Sequence, residues 1–198
     1  MEFTKVSQTT FNELQLEAGV VLNQFDPANP SVADANIVCA TTGGVNATCE
    51  PTYTDFGEDI DNVPNNTKEL KRIESWECKL AFTALNATKE VIQLSLGAAS
   101  VTGGTGTAPS KIEPNVEIKS ADFKNIWWVG DRSDGGMVAI KLVNALSTGG
   151  FNLQTAKAGK GELSVELTGH VSISDTDTVP MEFYVSDGET GETGETGA

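Results

Sequence analysis

The chain has one histidine, three cysteines and no lysine or arginine after Lys160. Each shortage removes a class of protein. Cys39, Cys49 and Cys78 are too few and too irregularly placed for a disulfide scaffold or a zinc site, both of which need paired spacings. Buried free thiols are expected, with a bridge between Cys39 and Cys49 across a hairpin as the lesser alternative. Apolar residues come in short runs, whereas a membrane-spanning helix needs about 20 in succession. The start, MEFTKVSQTT, lacks the charged beginning and apolar centre of a secretory signal, which points to a protein made and kept in the cytosol until assembly. On that reading the N-X-T sequons at Asn46, Asn65 and Asn86 are chance.

The missing cations make the charge uneven. The formal net charge is -15, and the last 38 residues carry nine acids and no lysine or arginine. Proteins that bind nucleic acid gain most of their affinity from cations on phosphates, so this composition excludes a conventional nucleic-acid binder. Acidity that merely keeps a protein soluble is the commoner explanation. At 198 residues the chain can bury roughly 70% of its unfolded surface around one core, without a metal or disulfide.

What is present reads as strands. LQLEAGVVLNQF (14 to 25) is an extended segment closed by the Asp26-Pro27 and Asn29-Pro30 turn signals. IVCATT and VNATCEPTYT flank Gly43-Gly44 and predict a hairpin. In TKELKRIESWECKLAFTAL, Leu70, Trp76, Cys78, Leu80 and Phe82 share one parity and polar residues the other, which defines a long strand with one dry face. Arg72 and Glu74 break that parity, so the strand is expected to emerge from the core there as a projecting hairpin. NATKEVIQLSLGAA offers Asn86 or Thr88 as a cap, Glu90 in the first turn and Gly97 as a stop: a short helix, with a strand as the alternative.

Gly103, Gly104 and Gly106 mark a flexible connector, with Pro109 and Pro114 opposing helix around it. Asp134-Gly135 splits NIWWVGDRSDGGMVAIKLVNAL into a tight hairpin. STGGFNLQTAKAGKG is a polar connector. GELSVELTGHVSIS alternates with Leu163, Val165, Leu167, Val171 and Ile173 inward, and MEFYV places Met181, Phe183 and Val185 on one side. The expected fold is mainly β, a sandwich or barrel-like domain over residues 11–186 with one short flanking helix and a projecting loop or hairpin. Residues 1–10 form a loose N-terminal arm and 187–198 a low-complexity GET tail.

Motifs for chemistry fail on inspection. GEDIDNVPNN (57 to 66) groups Glu58, Asp59 and Asp61, but a calcium loop begun at Asp59 puts Val63, Pro64 and Leu70 at its fifth, sixth and twelfth places. Begun at Asp55 it meets Gly57 and Ile60 where a ligand and a glycine are required. Carboxylates close together in a loop carry no information about the separation a glycosidase pair needs. His170 falls on the polar face of a strand pattern and is expected at the surface. Gly159-Lys160-Gly161 lacks the hydroxyl residue of a phosphate loop, and Trp127-Trp128, adjacent on a strand, point to opposite faces, so at least one packs in the core. No catalytic residue, cofactor or metal site is indicated.

The order of features resembles a phage major tail tube protein of the long, non-contractile type. The resemblance rests on LEAGVVLNQFDP, on IVCATTGGVNATCEPTYTDFGEDIDNVPNN leading into ELKRIESWECKLAFTALN, and on MVAIKLVNAL followed by GELSVELTGHVSISD. It covers most of residues 10 to 186 in layout through loose patterns, with no counterpart for the 97 to 110 connector or the GET tail. It implies a β-sandwich whose copies form rings, six to a ring, stacked into a virion tail tube that carries DNA to the host. Partners would be the chain itself and other tail proteins (tape measure, tail tip, terminator), with DNA passing unbound. The resemblance further implies open sheet edges completed by neighbours. It makes residues 57 to 66 a contact arm, with Glu58, Asp59, Asp61 and Asn62 meeting Lys68, Lys71 or Arg72 of another copy. Glu162, Ser164, Glu166 and Thr168 become the candidate lumen-facing row, repelling phosphate. An adhesive or decoration β-domain with an exposed surface at Trp127 or Trp128, a secretion-system tube protein, and least of all a hydrolase using His170, are the rivals.

Overall fold

A computed structural model describes residues 7–11, 13–105 and 107–188. Residues 1–6 of the N-terminal arm, Asn12, Gly106 and the GET repeats after Gly188 lie outside them. Eleven antiparallel strands and one α-helix make a mainly β fold. In chain order they are β1 (Val20–Leu22), β2 (Ile37–Cys39), β3 (Thr41–Asp55), β4 (Lys71–Ala84), α1 (Lys89–Leu96), β5 (Ala99–Gly103), β6 (Ser110–Pro114), β7 (Lys124–Asp131), β8 (Met137–Ser147), β9 (Asn152–Gln154), β10 (Glu162–Thr168) and β11 (Met181–Ser186). Of the N-terminal arm, residues Gln8–Phe11 form a 3-10 turn. The segment after it is tied down: Ser133 Oγ donates to the Phe11 carbonyl and Leu16 N–H to that of Asp131.

The main sheet runs β2-β1-β7-β8-β10-β4-β3, with β11 also on β8 and β9 on β10. β8 joins two halves because it changes partner along its length. Its first part, Met137 to Leu142, pairs with β11, while Leu146 and Ser147 pair with β10. Between them Asn144 adopts φ 48 and the β7 register slips, so β8 carries a bulge that bends the sheet. The two halves share one core. Val21, Cys39, Ile126 and Leu142 come from one side and Cys78, Leu80, Phe82, Leu163, Val165 and Leu167 from the other, an arrangement compatible with a sandwich.

The α1 helix forms for the reasons its sequence suggests. The Thr88 hydroxyl accepts from Val91 N–H at the N-cap, Glu90 sits in the first turn, and Gly97 at φ 77 ends it. Val91 and Leu94 enter the shared core. A second cluster, Leu22, Trp127, Val129, Met137 and Ala139 with Phe25 and Tyr184, covers the other face of the β1-β7-β8 half. Both faces of β7 are therefore dry, which is why its sequence runs apolar without alternation.

Several expectations are corrected. Gly43 and Gly44, at φ 74 and 81, do not turn a hairpin. They form a bulge inside β3, whose register on β4 skips from Thr42 to Val45. Left-handed glycines serve either purpose; the 14-residue β4 holds β3 straight on both sides of the bulge, and Ile37–Cys39 pairs with β1 instead. The stretch 97–110 is not a structureless connector, because β5 and β6 pair as a separate hairpin, and the second polar connector contains β9.

The inward alternation of β10 stops at Thr168. A Cβ on Gly169 would stand 2.8 Å from both Leu142 Cδ1 and the Pro180 carbonyl, so the chain squeezes past β8 there and leaves the sheet. Val171 and Ile173 are consequently exposed. In β11 the buried face holds Met181, but Phe183 and Val185 are exposed and Tyr184 packs against Trp127 in the second cluster instead.

The shared core gives a direct test. Leu80 is fully buried in the middle of β4, so Leu80→Ala is expected to lower unfolding free energy by about 2–5 kcal/mol at unchanged denaturant m-value, measured by urea unfolding.

Candidate assembly interface

The long β3–β4 hairpin outruns the core. On β4 the buried positions Cys78, Leu80, Phe82 and Ala84 give way, past half-buried Trp76, to five exposed residues from Lys71 to Ser75. The parity break at Arg72 and Glu74 does mark this emergence. It reflects a second register slip, between Thr52 and Tyr53, that sets Tyr53 opposite Ile73. Cys49, Pro51 and Tyr53 share one parity on β3, so the core face continues outward as the Tyr53/Ile73 pair. Both are about half exposed, as are Phe56 and Ile60 in the loop beyond. Sequence reasoning centred on the acids and missed this apolar group, although Ile73 out of phase with Trp76 was its trace.

The 56–70 loop is built by Asp55. Its Oδ1 accepts from Gly57 N–H at 2.9 Å and its Oδ2 from Asn66 N–H at 2.8 Å, and these bonds hold its carboxyl below the usual carboxylate range. Leu70 and Val63 close over Gly57, where a Cβ would lie 2.9 Å from Leu70 Cδ1. Asn62 and Asn66, at φ 66 and 64, supply the tight bends. Glu58, Asp59, Asp61 and Asn62 are all exposed on this scaffold. Lys68 lies 3.5 Å from Glu69, and Lys71 bonds Asn66 Oδ1 and covers the Tyr53 ring at 5.2 Å, so both already have neighbours in their own subunit. Arg72 is exposed opposite Thr54. Among the described residues no group of three or more His, Cys, Asp or Glu is placed to hold a metal.

Behind the hairpin, β10, β4 and β3 present one polar face. Cross-strand register stacks it in rows: Ser164, Thr83 and Thr42; Glu166, Ala81 and Asn46; Thr168, Lys79 and Thr48; then Glu77 and Glu50. Glu162, Ser164 and Glu166 are exposed and Thr168 half-buried, while Leu163, Val165 and Leu167 face the core. Lys79 stands 2.6 Å from Glu77 and 3.9 Å from Glu166, and the Glu77 carboxylate raises its ammonium pKa. This cation softens the repulsion of directly opposed Glu50 and Glu77, but three carboxylates around it leave the face negative. Ser164, Glu166 and Thr42 also line a shallow depression of about 520 Å³.

Among the described residues, β3 pairs on one side only over its 15 residues, interrupted by the glycine bulge and Pro51, and β2, β9 and β11 also have a single partner strand.

The remaining chemical candidates resolve into structure. His170 is half-buried, not a surface residue: its Nδ1 lies 3.2 Å from the Asn144 carbonyl and its ring meets Phe123 edge-on, because the chain has already left β10 there. Trp127 is buried and Trp128 half-buried with its indole N–H on the Ala18 carbonyl, so the pair offers no exposed stacking platform. Gly159-Lys160-Gly161 is part of the exposed turn before β10. A cleft of about 860 Å³ between Phe25, Asn86 and Trp127 contains Glu90 and Lys141, which are paired with Lys89 and Glu182. No protein-family model and no curated protein matches the chain in sequence.

Asp55 sets a pH prediction. A depressed carboxyl stabilises its bonds above the ordinary carboxylate pKa of about 3.9, and that contribution disappears as pH falls through the lower folded value. Hydrogen exchange is expected to show the Gly57 and Asn66 amides protected at neutral pH and open in strong acid. In Asp55→Ala they should be open at neutral pH as well.

Proposed function

We propose that this chain is a structural subunit that pairs with copies of itself in stacked rings, six to a ring, to build the tail tube of a long, non-contractile phage tail. The observation that carries the reading is the β3–β4 hairpin, which runs past the core and leaves the cross-strand pair Tyr53 and Ile73, with Phe56 and Ile60 in the loop beyond, about half exposed. A monomer gains nothing by exposing such a patch at the end of an extended arm; a neighbouring subunit seated on it does. The free β3 edge supports the same reading, since an added strand satisfies its unpaired backbone groups.

The polar β10-β4-β3 face is the wall of the bore in this reading. Glu162, Glu166, Glu77 and Glu50 outnumber Lys79, and a negative wall lets a phosphate backbone slide without sticking. The subunit acts by geometry and charge, with tape measure, tail tip and terminator proteins as further partners in the virion.

Electron microscopy of concentrated protein, and antibody labelling of particles, tests the assignment. Label along the tail shaft and tubes of uniform width are expected. Deleting residues 57–66, or changing Ile73→Glu, is expected to abolish tubes while leaving the circular dichroism spectrum of the monomer unchanged. Intact tubes from both variants would remove the hairpin from the interface, and label confined to capsid or fibre would end the proposal.

A further inference from the structure

Cys49 and Cys78 face each other directly across β3 and β4, with their Sγ atoms 2.9 Å apart and both thiols free. The backbone decides what kind of pair this is. Gly169 N–H bonds the Cys78 carbonyl, so the Cys78 peptide groups point toward β10 and away from β3. Cys49 and Cys78 are therefore a non-hydrogen-bonded antiparallel pair, in which Cα atoms stand about 4.5 Å apart and side chains are closest. That spacing falls inside the roughly 4.4–6.8 Å range that a disulfide bridges. Cys39, by contrast, is on β2, at the other end of the strand order, so the bridge weighed from sequence had the wrong partner.

We propose that Cys49 and Cys78 are an oxidative modification site, closed to an intramolecular disulfide by a small-molecule disulfide of the glutathione type. Half-buried Cys49 is the accessible thiol and fully buried Cys78 the resolving one. The Cys49 thiolate attacks the oxidant, forming a mixed disulfide and expelling one small thiolate. The Cys78 thiolate then attacks the Cys49 sulfur, and the second small thiolate leaves. The two protein thiols lose two protons and two electrons, and the oxidant is reduced to two thiols. Burial pushes the Cys78 thiol up to about 12, so closure is slow at neutral pH and faster in alkali.

The bond sits where the hairpin leaves the core, one row inward of Trp76 and Pro51. It ties β3 to β4 at the last position where β4 is fully buried, whatever the subunit's assembly state.

The folded full-length protein is incubated with oxidised glutathione at about pH 8.5, then denatured, alkylated and weighed intact, with peptide mapping. One alkylated thiol, Cys39, and one Cys49–Cys78 disulfide are expected. Cys39→Ala should still close, and Cys49→Ala should not. The closed form should melt at a higher temperature than the reduced form, reversibly with dithiothreitol. Three alkylated thiols, a glutathione adduct persisting on Cys49, a disulfide containing Cys39, or a closed form that melts no higher than the reduced one would each overturn the proposal.

Discussion

The fold depends on the point where β8 exchanges β11 for β10. Asn144 occupies the left-handed region there, at a cost of about 1–2 kcal/mol for a residue with a side chain. Its surroundings offset that cost by leaving few polar groups wanting. The Asn144 N–H donates to Asn125 Oδ1, its Nδ2 to the His170 carbonyl, and the adjacent Val143 peptide bonds Pro180 and His170. With the bulge held, both half-sheets turn their apolar faces onto one core. Without it, β10, β4 and β3 would continue flat beyond β8, and the apolar side chains Leu80, Val165 and Leu167 would lose the facing half-sheet.

Because the core is made by that bend, it is only as long as the overlap of the two halves. β3 and β4 are longer, and their outer ends project. Magnitudes then decide how the projection is used. Exposed ion pairs around Glu58, Asp59 and Asp61 contribute about 0–1 kcal/mol each, whereas fully burying a large apolar side chain contributes about 1.5–3 kcal/mol. In the assembly proposed above, Tyr53, Phe56, Ile60 and Ile73 would supply the attraction at this arm, and the acids would govern which surfaces approach it. The loop they stand on is ordered by its own Asp55 bonds, so little conformational entropy is left to lose on contact.

A different economy holds where the β7–β8 turn and the end of β11 meet. Arg132 is buried there, with its guanidinium on Asp134 and Asp187 at 2.8 Å and on the Ser186 carbonyl. The Gly136 N–H, together with this arginine, holds the Asp134 carboxyl below its usual range. A buried guanidinium needs such partners, and meeting that need fastens β11 beside the turn. Lys141, Glu182 and Tyr184 do the same along the strand, the Tyr184 hydroxyl donating to Glu182.

Local sequence by itself determined the elements whose signals are local. The one-sided alternation of β4, the Asp-Gly turn between β7 and β8, the Thr88 to Gly97 limits of α1 and the outward row of Glu162, Ser164 and Glu166 depend on side-chain periodicity and on backbone preferences within a few residues. Tertiary structure decided what those signals leave degenerate. Two left-handed glycines make a bulge as readily as a turn, so the partner of β3 settled the role of Gly43 and Gly44. Apolar residues at one parity predict a buried face only where something lies opposite, so Phe183, Val185 and Ile173 came out exposed and Tyr184 went in. The meeting of Cys49 with Cys78, and of Tyr53 with Ile73, follows from strand register, a property of two segments together that neither one carries alone.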